Sequence, residues 1–172
     1  MAAVMVIEDG TARTNSNSYT TIAEADDYWE LRNYLPWAAL SDETKTSALV
    51  QAAQYLDFAY RWIGDRYSTI QAMTWPRVVF FDVDYRAMHA NVIPQRIKDA
   101  QCELAKEVTL NGSLLAPMDR GGRVQSEAIG PLHIEYFADA PGIKEFPLVD
   151  AILADLITGG SLGSITSSAE LA

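Results

Sequence analysis

The sequence predicts a mainly α-helical single domain: a four-helix core with a small β-hairpin and long loops, α+β in detail. Three observations predict it. Four stretches carry apolar residues at helical spacing between good start and stop residues. Residues 123–137 alternate around a Gly-Pro bend in the manner of a hairpin. The chain of 172 residues is 49% hydrophobic and 21% charged, a globular composition long enough to bury a core without staples.

The clearest helix runs from Pro94 to Asn111. Proline fits the first turn, where its missing N–H is not needed, and Gly112 just beyond Asn111 is a common way to end a helix. Ile97, Ala100, Gln101, Leu104, Ala105 and Val108 share one arc, opposite Gln95, Asp99, Glu103 and Lys106. Gln101 lies inside the apolar stripe and needs a hydrogen-bond partner if buried. Cys102 falls towards the polar arc; in an assembly it is expected to be substantially buried, with that arc covered by the hairpin or by the next subunit.

Residues 1–18 form a lead without strong structure. Thr21 and Glu24 have capping-box spacing, which predicts a helix from Ile22 to about Arg32, ended by Asn33, Tyr34 and Leu35-Pro36. Ser41 is a good N-cap with Asp42 and Glu43 in the first turn. From there a stripe of Leu49, Ala52, Ala53, Leu56, Tyr60 and Ile63 predicts a second helix reaching Gly64. Tyr55, Phe58 and Trp62 project from another side, so this helix is either sandwiched in a core or shared with a partner. Residues 65–93 form a long connection with Trp75-Pro76-Arg77 and a short strand around Val79, Phe81 and Val83.

In the predicted hairpin, Leu132, Ile134 and Tyr136 alternate with His133, Glu135 and Phe137 after Gly130-Pro131. A lone hairpin is barely stable in water, so it must lie on helices or extend a neighbour's sheet. A short helix follows from Leu148 to Ile157. These elements make residues 1–157 one domain. Residues 158–172 have the composition of a flexible tail, with Leu162 and Ile165 as anchors for docking on a partner.

Composition limits the chemistry. Thirteen Lys and Arg against 23 Asp and Glu give a net charge of −10, a poor start for coating nucleic acid through phosphate contacts. A single cysteine excludes an intramolecular disulfide framework. His89 and His133 stand apart from any Cys or carboxylate cluster, and Asp82 and Asp84 offer too few oxygens for calcium. No nucleophile elbow, Walker loop or dinucleotide fingerprint is present, so no catalytic residue, metal or cofactor is expected. No segment of the sequence is long and apolar enough to cross a bilayer, and no membrane partner is expected. The aromatics Tyr55, Phe58, Trp62 and Trp75 could stack bases, though the basic residues beside them, Arg61, Arg66 and Arg77, are few.

An ordered set of short motifs resembles a known family. It comprises Asn17-Ser18-Tyr19, Ala25 with Tyr28, Trp37, Leu40-Ser41, Trp75-Pro76-Arg77, Ile93-Pro94 leading into residues 98–105, and the hairpin from Ser126-Glu127 through Gly130-Pro131 to Glu135-Tyr136. Together these resemble a tailed-bacteriophage family labelled as DnaT-like single-stranded-DNA-binding protein and encoded among virion morphogenesis genes. The chain departs from it at residues 86–91, where relatives often carry a glycine turn. The resemblance implies a head-to-tail connector, an adaptor under the portal that joins the DNA-filled head to the tail.

A dodecameric ring would be its working form, located in the virion neck after assembly in the host cytoplasm. Its partners would be further copies of itself, the portal protein, a downstream neck or tail protein, and duplex DNA passing through an acidic channel without specific binding. Tyr55, Phe58, Trp62, Val124, Ile134 and Tyr136 are the expected subunit contacts; Leu153, Leu156, Ile157, Leu162 and Ile165 are expected to dock on the portal. The alternative is a DnaT-like protein that binds single-stranded DNA.

Overall fold

A computed structural model describes residues 4–78, 89–114, 124–128, 133–136 and 146–161. The helices are α1 (Ile22–Glu30), α2 (Leu35–Ala38), α3 (Asp42–Ala59), α4 (Gln95–Asn111) and α5 (Pro147–Leu153). Six short strands, β1 (Tyr60–Trp62), β2 (Asp65–Arg66), β3 (Arg77–Val78), β4 (Val124–Ala128), β5 (His133–Tyr136) and β6 (Ile157–Ser161), pair antiparallel as β1–β6, β2–β3 and β4–β5. The described fold is therefore mainly helical with little sheet.

The helix ends follow their local chemistry. In α1 the Thr21 hydroxyl accepts from the Glu24 amide at 3.1 Å, and the Glu24 carboxylate accepts from the Thr21 amide at 2.8 Å, completing the capping box. The Ser41 hydroxyl caps α3 by accepting from the Thr44 amide at 3.3 Å. Pro94 is the N-cap of α4, and Gly112, at φ 80°, donates its amide to the Val108 carbonyl at 2.7 Å.

Three elements differ from the sequence expectation. Helix α3 ends at Ala59 rather than at Gly64, because Tyr60 is extended and the Tyr60–Trp62 run pairs with β6. Pro36 ends no helix; it occupies the first turn of α2, where it removes no needed bond. The last helix stops at Leu153, followed by a single 3-10 turn, Ala154–Leu156, before Ile157 opens β6. Residues 158–161, expected to belong to a tail, thus sit in that strand.

The hairpin appears as β4–β5, with Val124 opposite Tyr136 and Ala128 opposite His133. Val79, Phe81 and Val83 lie outside the described residues, as do Leu162 and Ile165.

Helices α3 and α4 make the central packing, α5 covers α4, and α1 lies on both α3 and α4. Leu49, Ala52, Leu56, Ile97, Ala100, Leu104 and Leu153 are fully buried in this core. The second apolar side of α3 is absorbed within the chain only in part: Tyr55 meets Tyr60 and Phe146 edge-on, at ring separations of 6.4 and 5.4 Å, and Trp62 is buried, while Phe58 stays exposed.

The polar arc of α4 is covered by α1. Tyr28 donates its hydroxyl to Glu103 at 2.9 Å, and the Lys98 ammonium reaches Glu24 at 2.5 Å. This cover buries Cys102 within a single chain, and its thiol is pushed far up in pKa, first by burial and then by the nearby carboxylates of Asp99 and Glu103.

Candidate functional site

Of the expected contact residues, Tyr55 and Trp62 belong to the chain's own core, and Phe58 is 66% exposed. Leu153 and Leu156 are buried, and Ile157 is half-buried. Val124 lies on β4; Ile134 and Tyr136 lie on β5. Among Tyr55, Phe58, Trp62, Leu153, Leu156 and Ile157, Phe58 has by far the most surface to offer a second molecule.

Phe58 marks one end of α3, where the chain turns into a run of exposed basic and aromatic side chains. Arg61 is the outward residue of β1, between the buried Tyr60 and Trp62. Arg66 on β2 is exposed, and Tyr67 after it is half exposed. Neither Arg61 nor Arg66 makes an ion pair or a side-chain hydrogen bond among the described residues. Asp65, also exposed, is the acid within the same run.

This edge is held from behind by backbone-directed bonds. Arg77, opposite Arg66 in the β2–β3 register, donates Nε to the Ile63 carbonyl at 2.8 Å and a second nitrogen to the Gly64 carbonyl. Burial, then the like charge of Arg66, moves the Arg77 pKa down. The Gln71 amide donates to the carbonyls of Met73 and Pro76, at 2.8 and 3.0 Å, and accepts from the Ser68 amide at 2.8 Å. The Trp75–Pro76 peptide is cis, with Trp75 buried edge-on against Trp62 at 5.9 Å.

Beneath the edge lies a buried polar bracket. Tyr19 donates its hydroxyl to Asp57 at 2.5 Å and accepts from the Trp75 amide at 3.2 Å, while the second Asp57 oxygen accepts from the Thr74 amide at 3.1 Å. Burial raises the pKa of both groups; in Asp57 the donated hydrogen bonds oppose that rise. The bracket ties the N-terminal segment, α3 and the Trp75 loop together, so the edge stands on a fixed base.

The arrangement offers cationic guanidinium groups beside exposed rings. It has no nucleophile–base pair, and the described residues contain no cluster of metal-ligating side chains. No helix among them is long and apolar enough to cross a membrane.

The family described as "Putative DnaT-like ssDNA binding protein" matches residues 3–171. The chain belongs to this family. The match spans nearly the whole sequence, so the DnaT-like assignment covers the helical core, the basic and aromatic edge and the hairpin together. No curated protein and no solved structure matches the chain. Phe58, Arg61, Arg66 and Arg77 stand out in the sequence as an aromatic with few basic neighbours, but helical periodicity groups Phe58 with Tyr55 and Trp62, which are buried. Tyr67 carried no signal, because its exposure depends on where the β2–β3 turn falls.

Proposed function

We propose that the chain binds single-stranded DNA through the edge formed by Phe58, Arg61, Arg66 and Tyr67. Membership of a family described by that activity carries the reading and favours it over the adaptor reading. The chemistry of the edge suits it, since guanidinium groups neutralise phosphates and exposed rings stack on bases without sequence preference. The net charge of −10 works against it and confines binding to this local patch.

The test is a fluorescence-anisotropy titration with a labelled oligothymidylate across a salt series. Arg61→Ala/Arg66→Ala is expected to weaken binding and to reduce the slope of log K against log salt by about 1.4, two contacts at about 0.7 each. Absence of binding at low salt, or a double variant that binds like the parent chain, rejects the reading.

A second reading, the ring-forming adaptor between portal and tail, is supported by the motif resemblance and by exposed apolar side chains at Leu31, Leu35, Leu110 and Leu148. It predicts that deleting residues 162–172, which leaves β6 intact, abolishes co-sedimentation with portal rings while the fold survives. Undiminished co-sedimentation of the folded, shortened chain defeats the docking role of those residues.

A further inference from the structure

Between α1 and α2, at the opposite end of α3 from the basic edge, lies a groove of about 520 Å³ with Asp26, Glu30, Tyr34 and Leu35 among its walls. Its floor is aromatic: Trp29 packs on Tyr34 at 5.0 Å and on Trp37 at 6.2 Å. On the rim Leu35 is 71% exposed. Leu31, just beyond the end of α1, is not a wall residue and is 85% exposed.

The neighbouring cations are already held. Lys45, buried in the wall, reaches Asp26 at 2.9 Å. Lys106 of α4 pairs with Glu103 at 2.9 Å and rests on the Trp29 and Tyr34 rings at 5.1 and 5.8 Å, so these rings already take a cation. Arg32 lies on the Tyr28 ring at 3.5 Å and donates to the Tyr28 carbonyl at 3.1 Å. The carboxylates stay open: Glu30 is exposed, and Asp26, which meets Lys45 and the Trp37 indole N–H through Oδ1, keeps 43% of its side chain exposed. Helix α1 ends here at Glu30 and adds the negative pole of its dipole. The groove is therefore acidic, with rings beneath and leucines beside it.

We infer that this groove binds a segment of another protein that carries an arginine or lysine next to a bulky apolar side chain. Charge complementarity selects the cation, whose apolar stem suits the aromatic floor. The apolar neighbour suits Leu35 and Leu31. Leu31 decides between a peptide and a small molecule: a small cation confined to the groove leaves it in water, whereas a chain segment crossing the rim covers it. Acidic segments and nucleic acid are repelled by the open carboxylates and by the net charge of −10. The groove is also remote from the basic edge, since Lys45 on its wall and Phe58 are thirteen residues apart on one helix, about 20 Å along its axis. Peptide binding here is thus independent of DNA binding there.

Fluorescence anisotropy with a dye-labelled peptide of alternating arginine and leucine tests it, beside control peptides with glutamate in place of arginine or serine in place of leucine. The parent chain is expected to bind the arginine–leucine peptide saturably, less tightly as salt rises, and both controls about tenfold more weakly. Glu30→Lys and Leu35→Ser, both at exposed positions and with circular dichroism spectra like the parent's, are each expected to weaken binding about tenfold. Arg61→Ala/Arg66→Ala is expected to bind the peptide like the parent chain. Absence of saturable binding, equal binding of the arginine–serine peptide, or loss of peptide binding in the Arg61 and Arg66 variant overturns the inference, as do Glu30 and Leu35 variants that bind like the parent. Phenylguanidine that binds as tightly as the peptide overturns it in favour of a small molecule. Sedimentation that shows the parent chain associating through Glu30 and Leu35 overturns it in favour of a second copy.

Discussion

Replacing Gln101 with leucine lowers the free energy of unfolding by about 3 kcal/mol, read as a drop in the urea midpoint at unchanged slope. Gln101 is fully buried on the apolar arc of α4, and all its polar atoms are used. Its Oε1 accepts from the Tyr19 amide at 3.0 Å, and its Nε2 donates to the Ser18 hydroxyl at 2.7 Å and to the Leu49 carbonyl at 2.9 Å. One side chain therefore joins α4, α3 and the N-terminal segment.

Leucine fits the space but leaves the Tyr19 amide buried without an acceptor, and that loss dominates. Ser18 keeps its bond to the Thr20 carbonyl at 2.7 Å, so its share is small. Glutamate is expected to be worse than leucine, since it would bury a charge whose second oxygen faces the Leu49 carbonyl. Gln95→Leu, at an exposed site on the same helix, is the control and should stay within about 0.5 kcal/mol of the parent chain. A Gln101→Leu chain as stable as that control would mean the three bonds add nothing.

The need for a partner at Gln101 was legible from its place in the stripe; the partner was not. Periodicity reports which face of a helix is apolar, but the Tyr19 amide lies far away in sequence and is brought there only by packing. The same limit applies to Cys102, where the covered polar arc could be foreseen and its cover, α1, could not. Local signals read well: the Thr21–Glu24 box, the Ser41 cap and Gly112 each act within one turn of their helix.

The end of α3 misled for a physical reason. Tyr60 and Ile63 continue the helical stripe, yet Tyr60–Trp62 is also a β-favouring run, and its partner Ile157–Ser161 has the glycine and serine content of a linker. Pairing between distant segments overrode the local period. That strand turns Arg61 outward between two buried aromatics, which makes it available at the edge. The site was therefore legible as residue types and not as a surface.

Glu8→Gln is expected to lower stability by about 2–4 kcal/mol and to speed amide exchange at Gly10, Ala12 and Arg13. Glu8 is almost fully buried in the N-terminal lead, where the sequence suggested no strong structure. Its carboxylate organises the following turn: Oε1 accepts from the amides of Gly10 and Ala12 at 2.9 and 3.0 Å, and Oε2 from the Arg13 amide and the Ser16 hydroxyl at 2.8 and 3.0 Å. Four donors converge on two oxygens. Gly10 and Ala12 take positive φ values of 97° and 59° to aim their amides inward. A side chain at Gly10 would be strained by that φ and would also meet the Asn91 carbonyl at 2.0 Å.

Glutamine matches the shape of glutamate but replaces one acceptor with an NH2 group, which would face either the Gly10 and Ala12 amides or the Arg13 amide, while the Ser16 hydroxyl can turn to accept. Where it faces Gly10, the orphaned amide cannot turn to water, because Gly10 is buried. The effect should spread, since the Arg13 carbonyl accepts from the Ala72 amide at 2.8 Å and so supports the loop behind the basic edge. Hydrogen exchange by NMR should show the 10–13 amides and Ala72 losing protection together, while the α4 amides change only by the global amount. If Glu8→Gln matches the parent chain in both stability and exchange, the carboxylate is not what holds the turn.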